Sequence, residues 1–135
     1  MRTVFADTFY WVALLNPKDH WHHRVEEVSS ELGTVRLVTT EAVLIELLNY
    51  FCAYGSVMRR VVVRAVRALL DNPDVEVLPH TSETFLSGLA LYEARLDKGY
   101  SLTDCISMWT MNQHGIHEVL THDTHFAQEG FVLLL

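Results

Sequence analysis

Four acids in this chain stand at places suited to chemistry. Asp7 directly follows the apolar run Val4-Phe5-Ala6, Asp123 follows another apolar run at 119–120, and Asp104 falls in the first turn of a helix-like stretch. Glu46 is embedded between Val43-Leu44-Ile45 and Leu47-Leu48, so its carboxylate is hard to place wholly in water. Glu41, five residues earlier and about 140° around the helix, can face solvent. Acids at the carboxyl ends of strands converge on one edge of a parallel sheet, beside the point where the strand order switches. A convergent acid cluster repels itself unless cations neutralise it. Hard carboxylate oxygens suit Mg²⁺ or Mn²⁺, and such ions activate water and stabilise the leaving oxygen of a phosphodiester. Plain structural roles are open to the same residues. Asp7 and Asp123 can cap the helices that follow, Asp104 can be the acid of a Ser101-x-x-Asp104 capping box, and Glu46 can extend its head to the helix flank. Capping does not account for an acid at every strand-to-helix edge.

Strands separated by helices would deliver these acids. Residues 2–6 read as a short buried strand, and helical spacing follows in FYWVALL and HHRVEEVSSEL, separated by Asn16-Pro17. VRLVTT is strand-like and hands over to the helix EAVLIELLNYFCAY, with Thr40 as N-cap and Gly55 as its C-terminal stop. A helix over about 56–70, the strand VEVLP, helices over about 82–96 and 102–114, the strand HEVLTHD and a last strand FVLLL complete the pattern. This alternation predicts one α/β domain over residues 1–135 with a mainly parallel sheet.

Taken in order, FADTFYW with Asp7-Thr8, TTEAVLIELL with Glu46, SLTDCIS with Asp104, and LTHDTHF with Asp123 and Phe126 resemble the PIN domain of VapC-type toxins across the whole chain. The resemblance implies a three-layer α/β/α sandwich and a Mg²⁺- or Mn²⁺-dependent ribonuclease site formed by Asp7, Glu46, Asp104 and Asp123. It also implies a homodimer and a cognate antitoxin whose tail covers the acids, as in a type II toxin–antitoxin pair. Phe9 stands where a small polar residue is common, which bears on the shape of the substrate channel, and Cys105 stands where alanine is usual. A haloacid-dehalogenase phosphatase would need a second Asp at position 9, and a response-regulator receiver would need a late lysine that neither Lys18 nor Lys98 supplies. The expected function is therefore a metal-dependent endoribonuclease. Beside it stand a PIN-fold interaction module that cleaves nothing and a PIN nuclease that processes RNA without an antitoxin.

The remaining residues modulate this reading. Seventeen acids against ten bases give a net charge of −7, which argues against holding nucleic acid by bulk charge. The basic charge is instead local: Arg60, Arg64 and Arg67 recur at i, i+4 and i+7, opposite Val62, Val66 and Leu69. This stripe is either a solvated face paired with nearby acids or a contact for RNA phosphate or antitoxin. Thr8 and Thr103 lie beside two acids, where a hydroxyl can orient a carboxylate or simply cap. Phe9 or Tyr10 can stack a base, though apolar residues at the start of a packed helix more often belong to the core. His20, His22 and His23 cannot share one helix face, so they are expected at a solvated helix start near the acids and not in a zinc site; His122 and His125 bracket Asp123. Cys52 and Cys105 form no CxxC and read as buried thiols in a reducing compartment. No run of about 18 apolar residues is present, and Asp7 interrupts the stretch where a signal peptide keeps its apolar core, so a cytoplasmic location is expected.

Overall fold

The computed structural model describes residues 1–135. Its elements run β1 (Thr3–Ala6), α1 (Thr8–Leu15), α2 (His22–Leu32), β2 (Arg36–Thr40), α3 (Glu41–Tyr50), α4 (Ser56–Asp71), β3 (Val75–Leu78), α5 (Ser82–Ala94), α6 (Leu102–Gln113), β4 (Glu118–Leu120), α7 (Thr124–Gln128) and β5 (Val132–Leu133). The five strands pair in parallel in the order β3-β2-β1-β4-β5, and the helices complete an α/β/α sandwich. The chain winds outward from β1 through β2 to β3, then returns past β1 to lay β4 on its other side. The strand order therefore switches between β1 and β4, where the connections leaving the two strands diverge and open a crevice.

β1 carries the core because it is covered on both faces: Val4, Phe5 and Ala6 are fully buried. Parallel strands covered by crossover helices read as unbroken apolar runs, and VFA and VL at 119–120 obey that rule. Thr39 at the end of β2 donates a hydrogen bond from Oγ1 to the Ala6 carbonyl at 2.9 Å. The Asp7 amide reaches the Leu120 carbonyl at 3.4 Å. Both bonds fix the point where β1 ends and Asp7 emerges. Thr40 caps α3 as expected, its Oγ1 accepting from the Val43 amide at 3.1 Å.

Several boundaries differ from the sequence pattern. α3 stops at Tyr50, and turns over 51–54 carry the chain to Gly55, whose φ of 92° starts α4 instead of ending α3. β4 ends at Leu120, three residues short of Asp123, and only Val132–Leu133 of FVLLL pairs with the sheet. Cys105 is buried as expected, but Cys52 is exposed because the early end of α3 leaves it in a turn.

α5 and α6 make the most extensive helix contact, at Gly88. A Cβ at this position would stand 2.5 Å from Ile106 Cγ1 and 3.3 Å from the Ile106 amide nitrogen. Gly88→Ala is therefore expected to destabilise the fold by about 1–3 kcal/mol through overpacking, despite the roughly 1 kcal/mol that Ala gains over Gly in helix propensity. In an Ile106→Ala background the same change should be neutral or stabilising. Urea unfolding of the four proteins measures this, and equal costs in both backgrounds would show that the close approach does not matter.

Candidate active site

Asp7 is the first residue past β1, and the fold leaves it 4 % exposed at the switch point. Although it occupies the N-cap position of α1, its side chain makes no capping bond. The carboxylate turns instead to the end of β4, where Oδ2 accepts from Thr121 Oγ1 at 3.0 Å. Its Oδ1 is buried with no hydrogen-bond partner. Capping, one of the two roles open to Asp7, is thus not how its side chain is used.

The other two aspartates cap helices and also line the cleft. Asp104 closes a capping box at the start of α6: Oδ2 accepts from the Ser101 amide at 3.1 Å, and its own amide donates to Ser101 Oγ at 3.0 Å. Asp123 caps α7, with Oδ1 accepting from the His125 amide at 2.9 Å. These bonds hold each carboxylate in one orientation without satisfying all its acceptor positions. Glu46, half-buried on α3, completes the group that the sequence singled out.

All four line one cleft of ≈ 310 Å³, together with Thr8, Phe9, Val12, Tyr50 and a fifth acid, Asp19. Asp19 lies in the turn between α1 and α2, where Oδ1 accepts from the Trp21 amide at 2.8 Å. Nothing in the local sequence separates it from an ordinary turn aspartate. Thr8 lies at the cleft with its hydroxyl buried and unpartnered, whereas Thr103 is half-buried on α6 and does not line the cleft.

Electrostatically the cleft is strained. Burial pushes the Asp7 carboxyl up to about 7, nearby Asp104 and then Glu46 push the same way, and the Thr121 hydroxyl and Thr8 amide only partly oppose them. Asp104 is also raised, chiefly by burial and further by Asp123 and Glu46, against the stabilising bonds from Ser101. His125 Nδ1 approaches this end of the cleft, 3.3 Å from Asp123 Oδ1 and 3.7 Å from Asp104 Oδ2. Oxygen donors that repel one another, with a buried orphaned oxygen among them, fit a divalent cation.

The rim is aromatic. Phe9 packs edge-on to Trp21, whose ring lies 3.9 Å from that of His122. Tyr10 is buried and pairs its hydroxyl with Ser29 Oγ at 2.8 Å, so of the two aromatic candidates only Phe9 reaches the cleft. Trp21 was not singled out from the sequence; its signal is its place one residue before a helix that opens with histidines. Those histidines do not converge: His20 abuts Trp21, His22 Nδ1 lies 2.7 Å from the Ala13 carbonyl, and the His23 side chain is almost wholly exposed. Arg60, Arg64 and Arg67 lie exposed on α4, outside the residues that line the cleft, and none forms an ion pair within 4 Å.

A parallel sheet whose switch point gathers carboxylates into a cleft defines the class of protein. The PIN domain profile matches residues 4–131, and the chain belongs to that family. Among solved structures it is similar to VapC20 of Mycobacterium tuberculosis, a sarcin-ricin loop cleaving toxin (TM-score 0.83, 26 % identity, 96 % of each chain covered). It also resembles chains in DNA-bound VapBC of Salmonella typhimurium (TM-score 0.66, 17 % identity, 98 % and 97 % covered) and in FitAcB of Neisseria gonorrhoeae (TM-score 0.65, 18 % identity, 96 % and 95 % covered). No curated protein matches the chain in sequence.

A carboxyl raised in the folded chain keeps a proton that the unfolded chain loses near pH 3.8. The contribution of Asp7 to metal-free stability is therefore fullest below that pH and declines as pH rises toward 7, by at most about 4 kcal/mol. In chelator, the stability difference between parent and Asp7→Asn should shift against the parent by an amount of this sign between pH 4 and 7. Because only the charged carboxylate ligates, Mn²⁺ should reverse the trend. Denaturant melts at several pH values check this; parallel curves for parent and variant would contradict it.

Proposed function

We propose that the protein is a Mg²⁺- or Mn²⁺-dependent endoribonuclease acting as the toxin of a type II toxin–antitoxin pair. The observation that carries this reading is the convergence of Asp7, Glu46, Asp104 and Asp123 on one cleft, with the buried Asp7 Oδ1 unpartnered. In this reading the four acids hold one or two cations. When bound, a divalent cation supplies an activated water and neutralises charge on the scissile phosphate. The chain's own residues set the geometry. Thr121 holds Asp7, Ser101 holds Asp104, and the His125 amide holds Asp123, so that three carboxylates are fixed before substrate arrives. Phe9 offers an apolar wall beside the acids for a nucleobase. The acids act as ligands, and no covalent intermediate is needed.

The toxin role is supported by membership of the PIN family and by likeness to the toxin VapC20. Exposed apolar side chains Ile45 and Leu48 on α3 and Val63 and Leu70 on α4 share this part of the surface with the unpaired Arg60, Arg64 and Arg67, a combination suited to an amphipathic antitoxin segment. On α5, exposed Phe85, Leu86 and Leu89 supply a face for a homodimer. No helix is long and apolar enough to cross a membrane, and the reading places the protein in the cytoplasm with its RNA.

Two outcomes test this. Asp104→Asn and Asp123→Asn are each expected to abolish RNA cleavage and most of the Mn²⁺-induced rise in melting temperature. Chelated Asp104→Asn should be no less stable than the parent, because relief of like-charge repulsion offsets the few tenths to about 1 kcal/mol of lost charge–dipole attraction at the helix start. Destabilised variants that still cleave would overturn the assignment. Replacing Arg60, Arg64 and Arg67 by Ala should weaken binding of RNA or of antitoxin, and lost phosphate contacts should lower the salt slope of RNA binding by about one unit each. Unchanged affinity for both partners would reduce the stripe to a solvated face.

A further inference from the structure

Resting on the reading of the cleft as a cation site, we infer that His125 Nδ1 is a direct ligand of the bound ion and biases the site toward Mn²⁺, a first-row transition ion, over Mg²⁺. The side-chain nitrogen Nδ1 is shut off from solvent yet has no hydrogen-bond partner. It faces the two carboxylates that are best fixed by caps, at 3.3 Å from Asp123 Oδ1 and 3.7 Å from Asp104 Oδ2. One donor atom from each of Asp104, Asp123 and His125 lies within 4.8 Å of the other two. Ligands about 2.1 Å from an octahedral ion stand about 3.0 Å apart when adjacent and about 4.2 Å when opposite. The His125 spacings fall between these values, so movements of well under a bond length seat all three donors on one ion.

The surroundings hold the imidazole in place. Its ring rests 5.1 Å from that of Tyr100, whose hydroxyl donates to Glu129 Oε2 at 2.9 Å, and Arg95 Nε donates to the same oxygen at 3.2 Å. The backbone of His125 is tied separately to Asp123 through its amide, so the residue is anchored at both ends. The unpartnered Oδ1 of Asp7, in a carboxylate 4 % exposed, is a second, independent acceptor that a cation would satisfy. Mg²⁺ takes oxygen donors and keeps its waters, whereas Mn²⁺, which shares the preference for carboxylates and binds nitrogen least tightly of the first-row divalent ions, still accepts a neutral imidazole better than Mg²⁺ does. A nitrogen placed among the carboxylates therefore adds affinity for Mn²⁺ and almost none for Mg²⁺.

The alternative role for His125 is a protonated counter-ion to Asp104 and Asp123, and the two roles have opposite consequences. Removing an internal cation would strengthen binding of both ions alike, whereas removing a ligand weakens Mn²⁺ alone. Mn²⁺ affinity is measured by the paramagnetic resonance signal of the free ion, Mg²⁺ affinity by competition, and the nitrogen ligand by ¹⁴N modulation of the bound Mn²⁺ echo. The parent should show ¹⁴N coupling of directly bound imidazole. His125→Asn should lose that coupling and weaken Mn²⁺ binding about 10-fold or more, the scale on which groups at metal sites act, with Mg²⁺ changed by less than about 3-fold. A parent that binds Mn²⁺ without nitrogen coupling, or a variant with an unchanged Mn²⁺-to-Mg²⁺ ratio, overturns the inference and leaves the cation site standing. A parent that binds neither ion overturns both. The coupling is read on the parent protein and does not depend on how well the variant folds.

Discussion

The carboxylate of Asp7 is nearly cut off from water and has Asp104 and Glu46 near it, with only the Thr121 hydroxyl as a side-chain hydrogen-bond partner. Burying a charge in this way is costly unless something neutralises it. The sheet makes the arrangement hard to avoid. β1 lies in the centre with both faces covered, so the residue that follows it emerges inside the crevice left by the strand-order switch. β4, on the far side of the switch, sends Thr121 and Asp123 into the same crevice, and the capping box of α6 holds Asp104 against it. Asp7, Asp104 and Asp123 are each locally secured while the group as a whole, with Glu46, remains unfavourable. Such opposition between local order and collective repulsion is characteristic of sites built for a ligand.

Much of this was legible from residue order. Apolar runs without alternation marked strands covered on both faces, and the acids just past them marked the cleft edge. Thr40 and the Ser101–Asp104 box marked helix starts through chemistry confined to a few neighbouring residues. What was not legible depends on distant partners. Asp7 reads equally as a cap or as a cleft acid, and only the approach of Thr121 from the end of β4 shows which way its side chain turns. Asp19 joins the cleft because the α1–α2 turn folds back over it, which no spacing announces. Tyr10 is drawn inward by Ser29, nineteen residues away. Cys52 is exposed because α3 stops at Tyr50, a boundary that the continuous apolar pattern through 51–54 obscures. Thr103 has the right neighbour in sequence and the wrong direction on its helix.

The surface divides its charges in a way that fits this interior. An acid cleft in a chain of net charge −7 repels a polyanion at long range, so attraction must come from restricted basic features. Arg60, Arg64 and Arg67 are exposed and unpaired on α4, and no residue of that helix lines the cleft that carries the acids. Phe9, which lines the cleft, packs with Trp21 and His122 into one aromatic cluster beside the acids.

If the acids form one site, a divalent cation relieves their mutual repulsion. The most direct measurement of that relief is the number of protons released when Mn²⁺ binds, obtained by calorimetry in buffers of different ionisation enthalpy. With Asp7 raised to about 7, the metal-free chain holds an extra proton at pH 6 that ligation must expel. Release of about one proton or more is expected at pH 6 and close to none at pH 8. Binding at pH 6 with no proton released would mean that the carboxyls are already charged and at ease, and would contradict a shared cation site.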